Sequence, residues 1–426
     1  MASRTIFALS SGRPPAAVSI IRVSGPAAHT AGNSIAGALP TTRIAAVREL
    51  RHPTSRELLD EALVLRFDGP ASATGEDVVE FHCHGGRAVV DGVLSVLGSI
   101  EGLREALPGE FTRRAFENGR IDLTEAEGLA DLIEAETEGQ RKAALALAEG
   151  GFRKQIDLWR QRVLDFSAQA ERAIDYDDDD LPTDPGMLRA TSGLTVELEE
   201  WMERPRVEML RDGVRVVVAG PPNVGKSSLI NALTGSERAI VTDIPGTTRD
   251  HIEVPLSIAG LPMLLTDTAG LRETKDAVEA IGVQRAVALV DAADILVWMG
   301  DPEAAPRQAR LIKVHARADL PERGPAPGGS LAVSAMTGEG LGDLMERIVD
   351  LAKGLLPGDG AIAINRRQAA LLGEAAAALQ RAVAVTDPVL LAEEFRHARS
   401  AFDRLTGAAG MEDVLDALFS RFCLGK

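Results

Sequence analysis

The sequence predicts a multidomain chain of α/β and α parts, and three observations carry that prediction. Its 426 residues exceed what one ordinary core accommodates. Apolar runs alternate with turns at the N-terminal end and recur at helical spacing on both sides of the middle. Between the helical stretches, a strand, a glycine-rich loop and a helix open a segment of alternating strands and helices. The pattern places an α+β N-terminal domain over 1–117 and a helical domain in two pieces, 118–210 and 357–426. A phosphate-loop domain over 211–356 is inserted between those pieces. Insertion is economical because domain ends that lie exposed and close together accept it.

In the N-terminal part, short apolar runs such as Ala17-Val18-Ser19-Ile20-Ile21 and Ala62-Leu63-Val64-Leu65 alternate with turns, and Gly85-Gly86 opens a helix-like stretch from Val89 to Leu97. From Leu123 to about Met209, Ala126, Leu129, Ala130, Leu132 and Ile133 recur at helical spacing, followed by Ala143-Ala144-Leu145-Ala146. Asp177 to Asp180, then Leu181-Pro182, read as a solvated loop. Strand candidates in the next part are Val214–Ala219, Leu261–Thr266, Ile295–Met299, Leu311–His315 and Leu331–Ser334. Gly354 to Gly360, with Pro357, reads as a linker, and 366–426 as helical.

Composition narrows the function classes. Hydrophobic residues make up 45%, enough for globular cores, but aromatics only 4%, so packing rests on Leu, Val, Ile and Ala. A formal charge of −17 argues against a free-standing nucleic-acid binder, which needs Lys and Arg to neutralise phosphates. It leaves open an RNA presented by a basic partner. Cys83 and Cys423 are too few and too far apart for a disulfide framework. With no charged-then-apolar leader and no long apolar run, a cytoplasmic protein is expected.

The chemistry concentrates in Gly220-Pro221-Pro222-Asn223-Val224-Gly225-Lys226-Ser227, which fits G-x-x-x-x-G-K-[ST]. A β-branched strand precedes it and Ser228 to Leu233 reads as a helix start. Backbone N–H groups and the positive helix end then face phosphates. Lys226 reaches the β- and γ-phosphates, and the Ser227 hydroxyl binds Mg2+. Asp267-Thr268-Ala269-Gly270 follows an apolar strand; Asp267 holds magnesium through water and the Gly270 N–H contacts the γ-phosphate. Thr247-Thr248 lies between, and one Thr, taken as Thr248, completes the magnesium shell. Ser334-Ala335 places a backbone N–H near guanine O6. This order reads as a GTPase rather than an unrelated phosphate-loop ATPase. One segment departs: where GTPases carry Asn-Lys-x-Asp, this chain has Ala316-Arg317-Ala318-Asp319. Asp319 still accepts from guanine N1–H and N2–H, and the planar Arg317 can stack where the lysine packs on the base.

At this point the chain resembles the MnmE (TrmE) family of tRNA-modifying GTPases. The marks are Phe422-Cys423-Leu424-Gly425-Lys426 at the C-terminus, Thr74-Gly75-Glu76-Asp77, His84-Gly85-Gly86, Pro108-Gly109-Glu110-Phe111-Thr112 and Asp122-Leu123-Thr124-Glu125-Ala126-Glu127. Pro245-Gly246-Thr247-Thr248-Arg249-Asp250 and Val278-Glu279-Ala280-Ile281-Gly282 match as well. The resemblance implies an N-terminal folate-binding domain that dimerises, a helical domain carrying the terminal Cys, and an inserted Ras-like G-domain. It implies a homodimer working with the FAD-dependent partner MnmG (GidA), which brings most of the tRNA contact. Together they build an aminomethyl-type group on carbon 5 of the wobble uridine, with 5-formyl- or 5,10-methylene-tetrahydrofolate as one-carbon donor.

Carried over residue by residue, the resemblance makes Asn223, Thr242, Ile244 and Thr247 the K+ ligands, within a nucleotide-contacting loop that includes Asp243, Pro245, Gly246 and Thr248. Potassium would stand where other GTPases receive an arginine finger. Glu279 becomes the residue that positions the attacking water; without the resemblance it reads as a solvated helix carboxylate. Arg22, Glu80, Arg120 and Lys426 become folate contacts, which suits a ligand with a carboxylate tail and a pterin. Cys423 reads either as a redox or nucleophilic thiol or as a small buried hydrophobe, and its place beside the chain end favours the first. Cys83, between His82 and His84, reads as structural, since neighbours on a strand alternate faces. The competing function is a regulatory or ribosome-assembly GTPase without modification chemistry, against which the terminal Cys-Leu-Gly-Lys argues.

Overall fold

The computed structural model describes residues 4–175, 185–236, 239–241, 253–268, 287–358, 361–409 and 412–425. By its contacts the chain divides into two compact units, one of Met1–Ala130 with Asp403–Lys426 and one of Asp131–Phe402.

Alternating burial builds the first unit's sheet. Its strands are β1 (Thr5–Leu9), β2 (Val18–Ser24), β3 (Ala46–Arg51), β4 (Leu58–Phe67), β5 (Val78–His84) and β6 (Leu103–Glu105). They lie in the order β3-β4-β5-β2-β1-β6, antiparallel except for the β1–β6 pair. Phe7, Ile21, Val23 and Phe81 turn to one face and meet Val90, Val93 and Leu97 of α2 (Arg87–Gly98) and Ile35 of α1 (Ala28–Ala36) in one core. On the other face, Ile6 and Ala8 meet Phe111 of α3 (Glu110–Glu117).

The C-terminal segment is built into this same unit. Leu415, Leu418, Phe419 and Phe422, on or just after α13 (Glu412–Phe419), pack on Leu123, Ala126 and Ala130 of α4 (Leu123–Glu134). Two glycines permit the approach. Gly109 (φ +70°) carries no Cβ that would collide with the Phe419 carbonyl, and Gly425 (φ +91°) none that would collide with the carbonyl of Leu9.

In the second unit, helices from both sides of the strand-rich segment pack together. Thr137 starts α5 (Glu138–Ala148) with a capping box closed by Gln140, and Asn365 starts α11 (Arg366–Ala384) with one closed by Gln368. Around α6 (Gly151–Asp175), α7 (Pro185–Met202) and α12 (Pro388–Thr406), a group of aromatic side chains collects: Trp159 stands edge-on to Trp201 and stacks on Phe402, and Phe152 stacks on Trp201. The indole N–H of Trp159 donates to Glu197, which satisfies its only polar atom.

Between these helices lie α8 (Val207–Asp212), β7 (Val214–Ala219), α9 (Lys226–Thr234), β8 (Ala239–Val241), β9 (Glu253–Ile258), β10 (Leu261–Asp267), β11 (Ile295–Trp298), β12 (Leu311–Ala316), β13 (Ser330–Val333) and α10 (Leu341–Lys353). The sheet order is β13-β12-β11-β7-β10-β9-β8. Strands β13 to β10 in that order run parallel, with near-continuous buried runs such as Val216-Val217-Val218, as a sheet covered on both faces requires. The antiparallel β8–β9 edge is absent from the strands read from sequence, because Glu253–Ile258 offers weak periodicity and β8 is only three residues long. Strand β7 has β10 on one side and β11 on the other, so a switch point opens at its carboxyl end.

Candidate nucleotide site and N-terminal site

The phosphate loop leaves β7 at that switch point. Gly220 (φ +152°) and Gly225 (φ +103°) take conformations that favour glycine, and Asn223 holds φ +61° between them. The loop closes over Lys226, 6% exposed, whose Nζ donates to the carbonyls of Gly220 at 3.0 Å and Pro221 at 2.9 Å. The ammonium is thereby held inside the cradle at the N-terminus of α9. One residue on, Ser227 Oγ donates to Asp267 Oδ2 at 2.7 Å, and Asp267 is 2% exposed at the end of β10. A hydroxyl and a buried carboxylate side by side are the donor set a hydrated Mg2+ requires. Thr268 is pinned behind them, its Oγ1 donating to the Val218 carbonyl at 3.0 Å.

Beside the loop lies a cavity of about 170 Å3. Val224, Gly225 and Ser228 line one side, Ala316, Arg317 and Asp319 another, and Ala335 and Met336 a third. Asp319 is exposed at the rim, where a carboxylate can accept from a base edge. Ser334 is fully buried, and its Oγ accepts from the backbone N–H groups of Met336 and Thr337, which fixes the turn that carries Ala335. Arg317, in a left-handed conformation of φ +59°, donates from Nη2 to the Asn223 carbonyl at 2.6 Å. That bond joins two segments 94 residues apart in the chain, and no local pattern signals it.

Thr242, Asp243, Ile244, Pro245, Gly246, Thr247, Thr248, Ala269, Gly270, Glu279 and Lys426 lie outside the described residues, as does the acidic run Asp177–Asp180. Of the expected K+ ligands, Asn223 alone is described.

In the first unit, Arg22 and Glu80 face each other across β2 and β5, with Nε to Oε1 at 2.9 Å. The Arg22 guanidinium also lies 5.7 Å from the centre of the Phe111 ring, and His82 stands 3.3 Å from Glu80 Oε2. Arg120 packs its stem against Gly75. Gly425 meets Leu9, whose β2 neighbour is Ile21, so the C-terminal segment arrives one residue along the strand from Arg22. Cys423 is exposed. Cys83 is buried; desolvation first, then the Asp60 carboxylate, push its thiol up to about 12. Its neighbours turn the other way, with the His84 side chain 72% exposed, so the three residues hold no common ion.

Among the described residues, His29, Asp68 and Asp77 also gather within metal-binding range. Nδ1 of His29 faces Asp77 at 3.4 Å, and Nε2 faces the Phe67 carbonyl at 3.1 Å. Each ring nitrogen thus faces a protein oxygen, and the tautomer decides which of them donates. Among the described residues no helix is long and apolar enough to cross a membrane.

The profile of the MnmE helical domain matches residues 123–423, and that of the GTP-binding protein TrmE N-terminus matches residues 5–120. The tRNA modification GTPase MnmE of Rhizorhabdus wittichii is 53% identical over 430 residues, covering 100% of this chain and 97% of that protein. Its namesake in Erythrobacter litoralis is also 53% identical, over 99% of this chain and 100% of that one. Among solved structures, the G domain of the T. maritima FeoB iron transporter shares 30% identity over 33% of this chain and 98% of that chain, with a TM-score of 0.24.

Proposed function

The chain belongs to the MnmE family of tRNA modification GTPases, and from that premise we propose that it couples GTP hydrolysis to building an aminomethyl-type group on carbon 5 of a tRNA wobble uridine. The one-carbon unit comes from 5-formyl- or 5,10-methylene-tetrahydrofolate, and the working assembly is a cytoplasmic homodimer with the FAD-dependent MnmG, through which most of the tRNA is held. The observation that carries this reading is the docking of the C-terminal segment, with Cys423, onto the N-terminal unit that holds Arg22 and Glu80. A GTPase that only regulates another assembly has no need of that arrangement.

Each residue's part follows from its chemistry. Lys226 and the loop N–H groups bind and orient the phosphates, and Ser227 with Asp267 holds the magnesium shell, with Thr248 added. Asp319 selects guanine. Asn223, with Thr242, Ile244 and Thr247, holds a K+ whose charge offsets that developing on the phosphates. Glu279 positions the attacking water. Arg22 and Arg120, with Lys426, suit the folate carboxylates, while Glu80 accepts from the pterin. The open side of the N-terminal sheet offers a dimer surface: Val47 and Leu63 pair across β3 and β4 at 56% and 37% exposure.

Mass spectrometry of tRNA from cells lacking the chain tests the proposal. Wobble uridines should lose their C5 substituent, and the wild-type gene should restore it. An unchanged nucleoside profile would reject the modification reading. For the metal, Asn223→Ala should abolish the advantage of potassium over sodium in GTP hydrolysis while nucleotide binding persists, and equal turnover of the wild type in both salts would exclude a K+ site.

A further inference from the structure

We propose that Asp60 and His84 form a proton-transfer dyad on the first unit, in which His84 Nε2 is the base that deprotonates the amine destined for the modified uridine and Asp60 is its positioning residue. The inference rests on the modification reading above and deepens it by giving a role to the His84-Gly85-Gly86 segment. Asp60 lies near the start of β4, and His84 ends β5, the strand paired with it. The Asp60 side chain is 8% exposed, and both of its oxygens meet one residue. Oδ2 accepts the His84 backbone N–H at 2.8 Å, and Oδ1 lies 2.7 Å from Nδ1 of the ring. A carboxylate only accepts, so the proton of that second bond sits on Nδ1. Nε2 of the neutral ring keeps its lone pair, and among the described residues it has no partner. The His84 side chain is 72% exposed, so a small molecule can reach the ring.

Holding β4 against β5 needs only the backbone bond. The second bond orients an exposed imidazole, and a carboxylate on Nδ1 both fixes the tautomer and stabilises the imidazolium once Nε2 gains a proton. The backbone behind the ring is rigid. The Ala16 N–H donates to the Gly85 carbonyl at 3.0 Å, and the Gly85 N–H to the Ala17 carbonyl at 3.4 Å. A Cβ at Gly85 would stand 2.1 Å from the Ala16 carbonyl oxygen, so the approach requires glycine. The dyad also shares a surface with the residues already assigned. Glu80, His82 and His84 alternate along β5 and therefore line one face, from the Arg22–Glu80 pair to the dyad. Gly425 meets Leu9 and Ser10, and the Ser10 N–H donates to the carbonyl of Ile20, whose β5 partner is His82. The C-terminal segment thus reaches the sheet level with His82, about 7 Å along β5 from His84 and from Glu80 alike. At neutral pH an amine is an ammonium ion with no free lone pair to attack carbon. In the step assigned to the dyad, an N–H bond of the ammonium breaks, the Nε2–H bond forms and the amine keeps the electron pair. The imidazolium, paired with Asp60, returns its proton to water, and nothing is oxidised or reduced. Imidazole suits the task because it gains and loses a proton near neutrality.

The test is formation of the modified wobble uridine by the full chain with MnmG, tRNA, GTP and the folate donor. It is run separately with ammonium chloride and with free glycine as the amine, and thermal melting confirms folding. His84→Asn should lower the rate by about a hundredfold or more, the worth of a positioned base, because its amide still donates to Asp60 but takes up no proton. Asp60→Asn should lower it by about tenfold or more, since an amide no longer fixes the tautomer. Imidazole added to His84→Ala should restore part of the lost rate and leave the wild type unchanged, a response that a purely structural bond would not give. Should His84→Ala fail to fold, His84→Asn carries the test through its rate. Wild-type turnover in folded His84→Asn overturns the proposal. So does a folded His84→Ala that imidazole does not rescue, because His84 would then only staple β5 to β4. A loss with one amine alone supports the proposal and identifies the substrate of the dyad. A wild-type chain that forms no product with either amine would sink the modification reading and this one with it.

Discussion

At the residue scale, environment separates groups that look alike in sequence. The two cysteines are the clearest case. Cys83 faces the core of the N-terminal sheet and its thiol is held neutral far above neutral pH, whereas Cys423 is exposed on the C-terminal segment. A thiol reagent at pH 8 should therefore modify Cys423 rapidly and leave Cys83 intact until the chain unfolds; two fast thiols per chain would contradict the burial. The sign of the pH effect also follows. The unfolded Cys83 thiol ionises near its ordinary 9.0 and the folded one near 12, so the stability it contributes is complete below pH 9 and falls as pH rises towards 12. Denaturant titrations across that range should register the fall as absent in Cys83→Ala. Asp319 is the second case. It lies at the rim of the base cavity with Ala316 and Arg317 beside it, and it is the retained member of its motif. Asp319→Asn should shift preference from guanine to xanthine nucleotides, because an amide donates where a carboxylate accepts. Equal wild-type affinity for ATP and GTP would refute this assignment.

At the element scale, helix and strand identity follows from local patterning, but docking depends on single backbone positions. The five parallel strands show as short apolar runs, and α5 and α11 begin at capping boxes written plainly as Thr137-x-x-Gln140 and Asn365-x-x-Gln368. The β8–β9 edge was not legible in this way, because the half-polar β9 acquires its structure from pairing with β10, and the three-residue β8 from pairing with β9. Gly109 shows how much one position can carry. Its left-handed φ and its approach to the Phe419 carbonyl seat α13 on the N-terminal unit. Gly109→Ala should cost about 1–3 kcal/mol in that unit, seen as a lowered melting temperature in the absence of nucleotide, while GDP affinity is preserved. A variant that melts at the wild-type temperature would show that the contact yields without strain.

At the scale of the whole molecule, the residues proposed for GTP and those proposed for folate and the thiol lie in separate stretches of the chain. Every described residue assigned to GTP lies between Asn223 and Ala335, while Arg22, Glu80, Arg120 and Cys423 all lie in the first unit. Deleting the last four residues removes Cys423 and the Gly425 contact with Leu9 without touching the phosphate loop. GTP hydrolysis should then stay near the wild-type rate while wobble-uridine modification is lost, and Cys423→Ser should do the same if the thiol is chemical. A truncated chain that restores modification in cells would refute a role in modification for the docked C-terminal segment.

Sequence by itself determined the parts and much of their chemistry. The phosphate loop, Asp267, Asp319 and Ser334 were legible because their spacing along the chain is set by strand, turn and helix lengths, which are local quantities. Arg22 and Glu80 were named through resemblance, since nothing local pairs residues 22 and 80. Tertiary structure alone decided what depends on distant segments meeting. It paired Arg22 with Glu80 through strand register, brought Gly425 to Leu9, and set Arg317 on the Asn223 carbonyl, a contact between residues 94 apart in the chain. Such contacts are chosen by the packing of whole elements, and no pattern of neighbouring residues encodes them.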